Sequence, residues 1–111
     1  MAITSTQVKN SASVVQIAVG RYIDTGTVAA FDITLGFKPL YVKVINLNAS
    51  GDVTIEWYHG MAAASAVLRG ADGAQSLITT NGITQNAAGF TVGLNTDVHV
   101  TSEQLSWMAI G

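Results

Sequence analysis

Cysteine is absent from this 111-residue chain, proline occurs once, and Asp, Glu, Lys and Arg together make up only 11% of it. Without cysteine there is no disulfide framework, no thiolate metal site and no cysteine nucleophile, and the redox compartment stays open. A chain of this length needs no such staple. Surface scaling lets about 65% of the extended chain's surface enter one core, which fits a single domain. The shortage of charge says more. An average soluble domain carries roughly 25% charged residues, more than twice the share found here, and the mean hydropathy is +0.38. Free monomers stay soluble by interspersing charge and keeping apolar patches small. So few charges predict that part of the exterior is covered by neighbours.

Long hydrophobic runs are also missing. No window approaches the roughly 18 apolar residues of a helical membrane span, so no membrane partner is expected. The opening residues Met1 to Thr6 have neither a basic n-region nor an apolar h-region, which predicts that the chain remains inside a cell until assembly. Basic clusters are absent as well. Residues 1–50 carry Lys9, Arg21, Lys38 and Lys43 against Asp24 and Asp32, a balance of +2. Residues 51–111 carry Arg69 against Asp52, Glu56, Asp72, Asp97 and Glu103, a balance of −4. Phosphate binding wants clustered Lys and Arg, so nucleic acid is excluded as an expected partner.

What is present is alternation. Val42 and Val44 alternate with Tyr41, Lys43 and Ile45, and Val53, Ile55 and Trp57 alternate with Thr54, Glu56 and Tyr58. Period two marks strands with one apolar face. The turn formers Asn48 to Asp52 lie between them, so 41–48 and 53–59 read as an antiparallel hairpin. Upstream, 13–19 and 28–35 are β-branched runs and read as two further strands. Pro39 lacks an N–H and makes Gly36-Phe37-Lys38-Pro39 a corner leading into the hairpin. Downstream, Gln75 to Thr80 reads as a short strand and Asn81-Gly82 as a turn before Ile83-Thr84. Phe90, Val92 and Leu94, followed after Asn95-Thr96-Asp97 by Val98 and Val100, read as a second hairpin. Leu105, Trp107 and Ala109 alternate with Ser106, Met108 and Ile110, a run apolar on both faces, which predicts a strand that is central or covered by another subunit. Residues 61–69 hold Met, Ala and Leu, and one or two helical turns or an irregular excursion both suit so short a run.

The predicted architecture is all-β: an antiparallel β-sandwich, jelly-roll-like, of about eight strands with that one excursion, spanning 11–111 as a single domain. Residues 1–10 are polar and weakly patterned and are expected to be an arm that orders on a neighbour.

The inventory for chemistry is thin. Two histidines, His59 and His99, lack the H-E-x-x-H or paired spacing of zinc ligands, and alternation puts His99 on the side opposite Val98 and Val100. Glu56 between Ile55 and Trp57 would need a raised pKa and a nearby carboxylate to act as a general acid, and period two already explains it as outward-facing. No G-x-S-x-G elbow or phosphate-cradling glycine motif occurs. No catalytic residue, metal or cofactor is therefore expected. Phe31, Trp57 and Phe90 are in phase with apolar neighbours and read as core. Tyr41 and Tyr58 are out of phase with theirs and read as contact residues, because tyrosine brings area and a hydroxyl to an interface. With Trp107, Met108 and Ile110 of the doubly apolar last strand they form the expected interface.

Leu35-Gly36-Phe37-Lys38-Pro39-Leu40-Tyr41-Val42-Lys43-Val44-Ile45-Asn46 and Glu56-Trp57-Tyr58-His59-Gly60-Met61 resemble segments of small virion proteins of tailed bacteriophages. Gly82-Ile83-Thr84, Gly89-Phe90-Thr91-Val92-Gly93 and the closing Leu105-Ser106-Trp107-Met108-Ala109-Ile110 carry the same resemblance, which spans residues 30–111. It implies a β-sandwich that packs as an oligomer on the phage particle, and no catalytic residues. The expectation is a capsid decoration protein, a homo-oligomer of trimeric symmetry that cements the major capsid protein in the virion. A tail or fibre component, and a carbohydrate- or receptor-binding module using Tyr41, Tyr58 or Trp107, are the alternatives.

Overall fold

A computed structural model describes residues 16–24, 29–47, 53–96, 98–100 and 102–111. The expected arm over 1–10 and the turn at 48–52 lie outside these residues. Eight strands follow in chain order: β1 (Ile17–Ile23), β2 (Phe31–Thr34), β3 (Tyr41–Asn46), β4 (Val53–Tyr58), β5 (Ser65–Arg69), β6 (Gln75–Gln85), β7 (Gly89–Val92) and β8 (Gln104–Ile110). All pairings are antiparallel, and the order across the sheet is β1-β8-β3-β4-β5-β6-β7-β2. The all-β antiparallel class and the number of strands, about eight, are those the patterning predicts. They form one continuous sheet curled into a half-barrel, not two separate sheets.

Curling follows from which face is apolar. Val42 and Val44 on β3, Ile55 and Trp57 on β4, Ala66 on β5, Ile83 on β6, Phe90 and Val92 on β7, and Leu105 and Ala109 on β8 are all buried. One face of every central strand therefore has to leave water, and a sheet with no second layer does so by folding over itself. Its ends meet through inward side chains. Tyr22 of β1 and Phe31 of β2 pack edge to face with ring centroids 4.8 Å apart, although the two strands share no ladder.

The β3–β4 hairpin forms in the register the alternation implies, Tyr41 opposite Tyr58 and Val44 opposite Ile55. The last strand, β8, is central: it pairs with β1 on one side and β3 on the other. Pro39 is buried at a corner outside any strand, its carbonyl accepting a hydrogen bond from Gln85 Nε2.

Three segments depart from the alternation. Residues 65–69 are strand β5 rather than helix. The irregular part is the tight turn before it, where Gly60 (φ 99°) and Ala64 (φ 64°) take left-handed conformations. A run this short makes too few helical bonds to stand alone, whereas the gap between β4 and β6 satisfies both edges of its backbone. Asn81-Gly82 does not reverse the chain. β6 runs through it, with Asn81 at φ 59° and the pairing jumping from Ala66↔Ile78 to Ser65↔Ile83, so the turn signal is spent on a bulge. Finally, 98–100 is no strand. His99 N–H donates to the Asn95 carbonyl and Glu103 N–H to that of Val100, so the chain turns here, and the His99 ring packs against Phe31 of β2. Val98 and His99 are consequently both buried, at 0% and 4% exposure, which corrects the alternation-based placement of His99 on the outside.

Candidate functional site

Two places gather polar or aromatic chemistry. The first is the plug at the end of the half-barrel. His99 Nδ1 lies 3.1 Å from the Gly93 carbonyl and Nε2 lies 3.0 Å from Asp24 Oδ2, while the ring packs against Phe31 with centroids 5.1 Å apart. Both ring nitrogens are spent on protein oxygens and the side chain is wholly buried, so none remains for proton transfer to a substrate. Tyr22 Oη donates to the Val98 carbonyl at 2.6 Å, and burial pushes its phenol above the ordinary range. This cluster closes the fold. Among the described residues no three His, Asp or Glu side chains converge on one point, and the other histidine, His59, is exposed in the turn after β4.

The second is the outer face of β1, β8, β3 and β4. The registers build rows of side chains across it. Ile17, Ile110, Tyr41 and Tyr58 form one row, and Val19, Met108, Lys43 and Glu56 the next, which continues to Val67 and Leu77. Arg21, Ser106, Ile45 and Thr54 form a third. Between Lys43, Ile45, Ser106, Trp107 and Met108 lies a groove of about 260 Å³.

The polar centre of the face is Glu56. Tyr41 Oη donates to Glu56 Oε2 at 2.7 Å and Tyr58 Oη donates to the same oxygen at 3.1 Å, the two rings standing 5.2 Å apart. The Tyr41 hydroxyl, seconded by Tyr58, Lys43 and Arg69, outweighs partial desolvation and holds the carboxyl below its usual value. A general acid needs the opposite shift. Both phenols are pushed up in turn, Tyr41 first by burial and Tyr58 first by its bond to Glu56. Glu56 also faces Lys43 directly across the ladder, an opposite-charge cross-strand pair.

Of the five expected interface residues, Tyr41, Tyr58, Met108 and Ile110 share this face. Trp107 has its indole on the other: it pairs with buried Val44 and packs edge-on against Phe90, centroids 5.5 Å apart. Gly20 of β1 makes room for it, since a Cβ there would meet the indole at 2.5 Å. Sequence reasoning missed the exposed end of the face, Ile17, Val19 and Ile23, which are 59%, 72% and 53% exposed. Their alternation with Ala18, Gly20 and Tyr22 was the available signal, but pattern alone does not tell which of two apolar phases faces the core. No family model matches the chain, and neither a curated protein nor a solved structure is significantly similar to it.

Proposed function

We propose that this chain is a virion structural protein, a capsid decoration protein that forms homo-oligomers and seats the outer face of β1, β8 and β3 on neighbouring subunits of a phage shell. The observation that carries the reading is that face: Ile17 and Val19 stand more than half exposed beside Ile110 and Met108, with Ile23, also more than half exposed, beyond Arg21 on the same strand, in a chain with little charge. Such contiguous apolar surface on a small charge-poor domain marks an interaction site. Many copies, each making a modest contact, attach firmly through simultaneous engagement, so no single large interface is needed. The virion as its location is part of the proposal and rests on the expected resemblance of residues 30–111 to small virion proteins, to which no comparison adds support.

Purified protein added to shells that lack it, followed by sedimentation, tests the reading. Saturable binding that Ile17→Glu and Val19→Glu abolish supports it, and shells that never retain the protein overturn it. A carbohydrate-binding module is the second reading, favoured by Tyr58, 47% exposed beside Tyr41 and a carboxylate. A glycan array distinguishes it.

A further inference from the structure

The two ends of the sheet are not equally protected. β2 is four residues long, and its Asp32 and Thr34 are exposed, Asp32 accepting a hydrogen bond from Thr91 Oγ1. Short, charged edges resist pairing with other chains. β1 has seven residues, no proline, one charge and an unbroken register against β8 from Ile17↔Ile110 to Ile23↔Gln104. Among the described residues nothing pairs with its other edge.

Which groups that edge offers follows from the ladder. Gly111 N–H donates to the Gln16 carbonyl, so the even-numbered residues turn their backbone groups toward β8. Antiparallel pairing alternates, and Ile17, Val19, Arg21 and Ile23 therefore turn N–H and C=O outward. The same four residues present the exposed side chains of β1.

We propose that a second copy of this chain docks antiparallel along the free edge of β1, about a two-fold axis at Gly20, joining two half-barrels into one continuous sheet. In this register Ile17 faces the partner's Ile23, and Val19 faces the partner's Arg21. All seven residues overlap, and the four outward-turned residues of each copy exchange both hydrogen bonds with an outward-turned residue of the other. The register avoids the worst charge contact: the two Arg21 side chains lie diagonal to one another, each directly opposite an apolar residue, whereas sliding by two residues would set Arg21 directly against Arg21 or leave residues unpaired. A two-fold contact of this kind is isologous and closes at a dimer. It also doubles the apolar outer face, giving a shell-bound subunit two footholds. The inference rests on the reading of the chain as an assembly subunit and replaces the expected three-fold symmetry at this contact by a two-fold.

The absence of cysteine makes the register readable. In the proposed dimer positions 19 and 21 of opposite copies stand about 5.5 Å apart between Cα atoms, within disulfide reach, while position 19 and its own symmetry mate are diagonal neighbours about 7–8 Å apart. An equimolar mixture of Val19→Cys and Arg21→Cys is expected to oxidise to a mixed dimer at least ten times faster than either variant alone. Val19→Pro removes an N–H that β8 does not use, and is expected to give a folded monomer by sedimentation and far-UV circular dichroism. Wild-type protein that stays monomeric at millimolar concentration overturns the proposal. So does a dimer that Val19→Pro leaves intact, or single variants that cross-link as fast as the mixture. If Val19→Pro fails to fold, the cysteine pair still decides. Shell binding is measured separately: a dimer with this register that never binds shells sinks the virion reading alone, and a shell-bound protein that is monomeric in solution sinks the edge pairing alone.

Discussion

Tyr22 and Phe31 stand at opposite ends of an eight-stranded sheet, yet their rings meet edge to face at 4.8 Å. Seven strand spacings separate β1 from β2 along the sheet, roughly 33 Å if it were flat. The contact therefore reports the whole curl, and loosening it should be felt as loss of the fold.

Phe31→Ala removes the β2 side of that contact and the ring against His99. It is expected to lower stability by about 2–4 kcal/mol. Tyr22→Phe keeps the ring and loses only the bond to the Val98 carbonyl, so about 1 kcal/mol is expected. Urea unfolding of the two variants checks the order.

The buried phenol of Tyr22 has its pKa raised in the folded state, so the unfolded chain ionises it first. Its contribution is fully present below the unfolded value near 10 and is lost as pH rises beyond it. Wild-type protein should lose stability above pH 10 more steeply than Tyr22→Phe, as thermal melts across that range would register.

Glu56 has the opposite sign. Its folded pKa is depressed, so its contribution is present above the ordinary carboxylate value and lost as pH falls through the folded one. Tyr41→Phe removes the largest cause of the depression. The Glu56 carboxyl should then titrate at a higher pH, as carbon-detected NMR would follow, and the stability difference between wild type and variant should vanish in acid.

His99→Ala empties the space of a buried ring and removes its contacts to the partly buried Gly93 carbonyl and Asp24 carboxylate, and is expected to cost about 2–4 kcal/mol. His59→Ala, in an exposed turn, should stay within about 0.5 kcal/mol. Equal effects in denaturant titrations would contradict the assignment of the two histidines.

Glycine positions offer a graded check. A Cβ at Gly20 would meet the flat of the Trp107 indole, which can shift, whereas one at Gly89 would meet the Ile33 backbone in the β2–β7 ladder, which cannot. Gly20→Ala is expected to cost about 1–2 kcal/mol and Gly89→Ala about 3 kcal/mol or more, read from unfolding midpoints.

How much was legible depends on the range of the interaction. The β3–β4 hairpin could be read because Tyr41 to Tyr58 is one local stretch with period two on both arms. That same period places Tyr41 and Tyr58 on the outer face, but it gives Glu56 only as an outward carboxylate and not as the acceptor the two phenols share. Val98-His99-Val100 has the same alternation and no strand, because Asn95 captures the amides of Val98 and His99 and turns the chain. In 104–110 both phases are apolar, so pattern does not separate Trp107 from Met108 and Ile110. The cleft over Gly20 decides it, and Gly20 lies on another strand.

The amino-acid order alone pointed to an all-β, antiparallel chain with little charge, since alternation, turn chemistry and composition are local properties. Tertiary structure decided the rest: that the strands make one curled sheet closed through Tyr22 and Phe31, that His99 is buried, and that among the described residues β1 has no partner on its outer edge and turns apolar side chains to water. Strand order is a choice among distant partners, made by how all the inward faces pack at once.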